Sequence, residues 1–325
     1  MKKGWITVGI SLVVFMAWSA KVWGEDIEKY PSRPITLTLA YAPGGSTDLI
    51  SRVIAKVAEK YIKEPIVVMN KPGGAGLIAL QYVASSKPDG YTLHLGRPAE
   101  LSVGPLIEKM PFEVEKTFVP VAMMGQELVV FSVWAESPWK TIEDLVAAAK
   151  AEPEKIKYAS TPTSTSRLVL EKFAYDVGIK LTHVPFKGAA PAAIAVAGGH
   201  VPVMPSAVGE ALPHYRSNKI RILLVCSDKR AKEIPEVPTI KEKGYDVTVS
   251  MWWLTVFAHK DIPEPILKKV ESLMKRIVED KDFFNAMAQL AIEPTFMGMT
   301  DFAKYWEGER KVYGDIIQRI GLGKK

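Results

Sequence analysis

Two stretches of the chain carry residues suited to holding an anion. YAPGGSTDLISR runs from Tyr41 to Arg52 and NKPGGAGLIAL from Asn70 to Leu80; each follows an apolar run of strand character and leads into a helical one. Glycine lets the backbone take positive φ and lets another group approach closely. A helix start adds unpaired N–H groups and the positive end of the helix dipole. Neither turn has the Lys-Ser/Thr pair of a phosphate-binding loop, so a carboxylate held by backbone N–H groups suits them better than a polyphosphate. Gly74-Ala75-Gly76-Leu77-Ile78-Ala79 also matches the dinucleotide pattern G-x-G-x-x-A. Pro72 and Gly73 lengthen that turn, however, and no acidic residue closes the next strand, so no cofactor is expected.

A second cluster could face these turns. YASTPTSTSR places Thr161, Thr163, Ser164, Thr165, Ser166 and Arg167 where a strand gives way to a helix. Hydroxyls and free N–H groups there can hold another polar or anionic group, although plain helix capping uses the same residues. Arg97 follows the strand YTLHLG; a guanidinium can grip a carboxylate with two parallel hydrogen bonds, or simply sit in solvent. Hydrolytic chemistry has no comparable signal. There is no G-x-S-x-G elbow, and His94, His183, His200, His214 and His259 are isolated, without metal-ligand spacing.

The elements needed to position these residues follow from hydrophobic periodicity. Strands are predicted at 35–41, 65–70, 91–96, 119–125, 128–134, 155–160, 181–186, 220–227 and 247–258. Helices are predicted near 47–61, 76–85, 142–153, 167–178, 188–199, 264–279, 281–290 and 301–320. Alternation of strand and helix with short turns predicts α/β lobes, each a mostly parallel sheet flanked by helices. Chain crossings are placed near Gly125 and Val247. Lobe 1 is then 25–125 and 248–325, lobe 2 is 126–247, and a cleft lies between them.

The N-terminus MKKGWITVGISLVVFMAWSAKVWGED has two lysines, a short apolar core and Val22-Trp23-Gly24, the pattern of a secretory signal over 1–24. The apolar core is short for a membrane span of roughly 20 residues. Removing Lys2, Lys3 and Lys21 with no acid takes the formal charge from +6 to +3. The remaining basic residues are scattered, without the interleaved aromatics of a nucleic-acid binder, so no nucleic-acid partner is expected. Cys226 is the chain's one cysteine and has no internal partner.

The motifs YPSRPITL, APGGSTDLISR, VVMNKPGGAG, KPDGYTLHLG, HVPFKGAAPAAIAVAGGHV and EIPEVPTIKEKGY occur in this order over nearly all of the mature length. The chain thereby resembles the tripartite tricarboxylate transporter receptors, the Bordetella uptake gene family of extracytoplasmic solute-binding proteins. The resemblance implies a two-lobed periplasmic binding protein of the type II class that binds a small carboxylate and serves membrane transporter subunits without catalysis. A monomer is expected, with no metal. The family's two first-lobe turns hold one ligand carboxylate, which here implies Ala42, Gly44, Gly45, Ser46, Thr47 and Asp48 with Pro72, Gly73 and Gly74, flanked by Tyr41. Gly45 is taken as a position where a Cβ would crowd both the turn and the ligand, and Asp48 as the residue that orders the loop.

Two departures bear on the ligand. Arg167 replaces the family's usual His, favouring a ligand with a second acidic end, such as a dicarboxylate or an aromatic acid. Pro202 stands where many members have Asp, which weakens the case for an amino-bearing ligand. A sensory protein signalling a carboxylate to a receptor kinase, or an exported enzyme, are the alternatives. N-terminal sequencing of exported protein should begin near Glu25; retention of residues 1–24 in a membrane fraction would replace export with anchoring.

Overall fold

The computed structural model describes residues 27–162, 164–245 and 251–322. The expected leader, Thr163 and the expected start of the last long strand at 247–250 lie outside them. Ten strands run in chain order: β1 Ile35–Leu39, β2 Ile66–Asn70, β3 Thr92–Gly96, β4 Phe118–Trp134, β5 Lys157–Ser160, β6 Thr182–Pro185, β7 Val203–Ala207, β8 Ile220–Val225, β9 Met251–His259 and β10 Glu293–Gly298. Nine helices of eight residues or more accompany them among the described residues. These are α1 Ser46–Ala58, α2 Leu77–Ala84, α3 Ile142–Ala151, α4 Thr165–Val177, α5 Ala189–Ala197, α6 Val208–Arg216, α7 Glu264–Val278, α8 Lys281–Gln289 and α9 Met299–Arg319.

The strands form two sheets that share β4. Its first part, from Phe118 to Leu128, pairs with β9, and β10 covers its other edge. Its last part, from Val129 or Val130 to Trp134, pairs with β7 and β8. Expected as two strands, 119–125 and 128–134, this segment is one, because an unbroken apolar run can stay extended through both cores. The two-lobed α/β architecture is present, but the mostly parallel expectation needs correction. Among the described strands, the parallel ladders join β1 to β2 and β3, and β5 to β6 and β7. Every ladder through β4 or β9 is antiparallel. Helix crossovers return the chain in the same direction, whereas strands passing between lobes must run out and back.

Strand β7 and helix α6 escape the sequence pattern. Pro205 lies inside β7 and argues against a central strand. It is tolerated because β5 pairs with β7 only at Val203, so Pro205 needs no N–H on that side. The ladder to β4 continues past it, with Pro205 opposite Phe131.

Each sheet is covered on both faces. In the first, Leu37, Ile54, Leu254 and Met274 pack with α1, α7 and α8, and Leu80, Trp253, Phe257 and Phe302 form the opposite core. In the second, Phe131, Leu168 and Phe173 form one core and Val196, Met204 and Ile222 the other. Helix α9 serves both lobes: Phe302 and Trp306 enter the first lobe's core, Tyr313, Ile316 and Ile317 the second's. Between these two sets sits the buried Glu309. Its carboxyl accepts from Trp253 Nε1 at 2.9 and 3.0 Å and from Ser102 Oγ at 2.9 Å, and burial pushes it up to about 7.

Phe302 is fully buried with edge contacts to Trp253 and Phe257. Phe302→Ala should cost about 3–5 kcal/mol of unfolding free energy in a urea titration. A loss below about 1 kcal/mol would show that this core collapses onto the vacated space.

Candidate functional site

The loops leaving the C-terminal ends of the strands converge on a cleft of about 620 Å³ between the sheets. That end of a sheet with parallel crossovers is where helix starts and strand ends leave backbone groups unpaired. On the first lobe, Tyr41, Gly45, Ser46, Thr47, Gly73 and Arg97 line it. On the second, Thr161 and Ser164 line it, joined by Ser160, Pro162 and Ser166.

The first-lobe wall is built around the start of α1. Gly45 is the N-cap and no side chain caps the helix, which leaves the first-turn N–H groups open to the cleft. Arg97 braces this turn: Nε donates to Thr47 Oγ at 2.7 Å, and Nη2 to Ser46 Oγ at 3.1 Å and Glu127 Oε1 at 2.9 Å. With their oxygens accepting from Arg97, both hydroxyls keep a proton to donate elsewhere. Trp252 also lines the cleft, with its ring centroid 5.2 Å from the Arg97 guanidinium carbon.

Asp48 stands behind the turn and is absent from the lining. Its carboxylate takes Arg52 Nε and Nη2 at 3.0 Å each, Gly44 N–H at 2.9 Å and Asn70 Nδ2 at 3.0 Å. Asn70 Nδ2 also donates to the Tyr41 carbonyl at 3.0 Å, so one carboxylate and one amide tie the two glycine turns together. Arg52, followed by the Gly44 N–H, holds the Asp48 carboxyl down at about 2.

Positive φ is concentrated in the second turn, at Gly73, Gly74, Ala75 and Gly76. Gly76 is the tightest, since a Cβ there would come within 2.4 Å of Glu100 Cβ. This close approach brings Glu100 to the cleft, where it accepts from Tyr41 Oη at 2.7 Å and from Arg97 N–H at 2.8 Å. Burial first, and Glu100 second, push the Tyr41 phenol well up, which keeps it a donor. The expectation for Gly45 is corrected: its φ is −77° and a Cβ would meet only Ala42 O at 3.7 Å.

Several expected residues stay outside the lining. Ala42, Gly44, Pro72 and Gly74 are exposed, and Thr165 is buried at the start of α4. Arg167 is the main correction. Its Nε donates to Tyr158 Oη at 3.1 Å and its Nη1 to the Pro162 carbonyl at 2.8 Å, with Glu171 at 3.7 Å. A buried guanidinium must be matched, and these inner acceptors draw it away from the cleft. It braces the loop that carries Pro162.

Other residues were missed. Phe186, Lys187, Gly188 and Ala189 bring the uncapped start of α5 to the cleft, and Pro205, Ser206 and Glu210 bring the end of β7 and the start of α6. The small-residue helix was readable, but β7 was not, and the acid that follows it was lost with it. Ser160 Oγ lies 3.0 Å from His183 Nε2. The same nitrogen lies 3.2 Å from the Ser160 carbonyl, a pure acceptor that calls for an N–H there, so this nitrogen is not free to act as a base toward Ser160.

The chain matches the model of the tripartite tricarboxylate transporter family receptor over residues 50–322. The protein BugT of Bordetella pertussis is 31% identical over 315 residues, covering 96% of this chain and 97% of that protein. An R. palustris protein solved with adipate superposes with a TM-score of 0.80 at 26% identity, covering 91% of this chain and all of that one. MatC from Rhodopseudomonas palustris, solved with bound malate, gives 0.75 at 25% identity over 89% of this chain and all of that one.

Because Asp48 is held below its ordinary value of about 4, its contribution to stability is present above that pH and lost as pH falls toward 2. Melting of Asp48→Ala and the native protein should therefore differ near neutrality and converge between about pH 4 and 2. A gap that persists unchanged at pH 2 would assign the loss to packing.

Proposed function

As the chain belongs to the tripartite tricarboxylate transporter receptor family, we propose that it is an exported receptor that captures a small organic carboxylate and delivers it to a membrane transporter. The observation that carries this reading is the uncapped start of α1, bracketed by Ser46, Thr47 and Arg97 at the cleft wall. The N–H groups and the two hydroxyls are donors toward the cleft, Arg97 sets a positive charge behind them, and a carboxylate is the acceptor that matches such a set. Adipate and malate, bound by two neighbours of the same fold, are both carboxylates.

The second-lobe wall would close over the far end of the ligand. Ser160, Thr161 and Ser164 supply hydroxyls, and Lys187 supplies a cation at an exposed position. Arg167, engaged with Tyr158 and Pro162, has no part in reading a second acid group. Binding without turnover suits this arrangement, and a monomer is the state we propose.

A thermal-shift series with mono- and dicarboxylic acids should raise the melting point, because a ligand that binds only the folded state stabilises it. Arg97→Gln should weaken whichever acid binds by at least tenfold, about 1.4 kcal/mol, while Arg167→Gln leaves affinity largely intact. No upshift with any acid, against chloride at matched ionic strength, would overturn the reading.

A further inference from the structure

Helix α6 begins where the chain leaves β7, and the first turn carries Glu210 into the cleft. Its Oε2 accepts the Ala207 N–H at 3.2 Å, and among the described residues no hydrogen bond reaches its other oxygen. Two charged groups face it from other elements: Arg97, on the loop after β3, and Glu127, on β4. Arg97 and Glu127 are themselves paired at 2.9 Å, so the guanidinium's charge is largely answered before it reaches Glu210. Across the cleft stand Tyr41 and Glu100, and on Glu210's own lobe the remaining cation at the lining is the exposed Lys187. Burial first and Glu127 second push the Glu210 carboxyl up to about 7, against the pull of the Ala207 N–H and Arg97.

We propose that Glu210 determines which acids the cleft accepts: ionised, it repels a second carboxylate, and protonated, it donates a hydrogen bond to one. This rests on the carboxylate-receptor reading and adds the ligand class. Above neutrality the cleft takes acids whose far end offers a hydrogen-bond donor, a hydroxyl or an amino group. A dicarboxylate enters with a proton held at Glu210. Affinity for a dicarboxylate should fall about tenfold from pH 6 to pH 8, because one proton must be taken up at a carboxyl that burial and Glu127 push up to about 7.

The test is a calorimetric and thermal-shift series on the mature protein at pH 6 and pH 8. Linear and hydroxy-substituted monocarboxylates serve as probes, each beside its dicarboxylate counterpart. Dicarboxylates should bind about tenfold more weakly at pH 8, or only at pH 6, while monocarboxylates hold constant. In two buffers of different ionisation heat, dicarboxylate binding at pH 8 should take up close to one proton. Glu210→Gln retains an acceptor for the Ala207 N–H and removes a carboxylate that burial disfavours, so without ligand it should melt at or above the native protein. It should bind or admit dicarboxylates equally at both pH values with no proton uptake. Dicarboxylate affinity that is already independent of pH in the native protein, or still pH-dependent or excluded in Glu210→Gln, overturns the inference alone. Failure of every acid to bind overturns the receptor reading and this inference with it.

Discussion

The buried pair of Arg97 and Glu127 is the constraint on which the site depends. Their side chains are 4% and 6% exposed, and neither charge could be held there without the other. Arg97 comes from the loop after β3, and Glu127 from the stretch of β4 where the chain passes between sheets. The contact therefore fixes this wall of the cleft relative to the strand that joins the lobes. The same guanidinium holds Ser46 and Thr47, which fixes the start of α1 as well. Positioning, electrostatics and lobe geometry all pass through one side chain.

A second layer keeps the glycine turns in register with that seat. Asp48 and Asn70 link the two turns, and Gly76 lets Glu100 approach closely enough to take both Tyr41 Oη and the Arg97 N–H. The positive φ values at 73–76 carry a conformational cost, lowest for glycine and real for Ala75 at φ 50°. Such a run of backbone persists where surrounding contacts determine it, and here Glu100, packed against Gly76, also lines the cleft.

Legibility in the sequence followed the reach of local rules. The glycine turns, the helix starts after them and Arg97 could be read because strand, turn and helix are adjacent in the chain. The roles of Gly45 and Arg167 could not, because they depend on contacts the pattern does not encode. Gly45 takes ordinary extended φ, and Arg167 is claimed by Tyr158 and Glu171 from within its own lobe. The continuity of β4 was hidden because one apolar run serves two cores. Strand β7 was hidden by a proline that only its ladder pairing makes acceptable, and Glu210 went unseen with it.

The two walls differ in kind, and this gives the cleft a direction. On the first lobe the start of α1 offers donors, the free N–H groups and the Ser46 and Thr47 hydroxyls whose oxygens are taken by Arg97, while the Glu100 carboxylate at the same wall is engaged by Tyr41 Oη and the Arg97 N–H. On the second, Glu210 presents an acceptor beside hydroxyls that can serve either way. On the proposed reading, a monocarboxylate that bridges the walls would place its carboxylate at the start of α1. The reverse orientation would set a carboxylate against Glu210 and leave the α1 donors unanswered, losing on both sides at once. Such polarity fixes orientation before any shape-specific contact is made, and it leaves the length and substitution of the acid to the hydroxyl-lined second lobe.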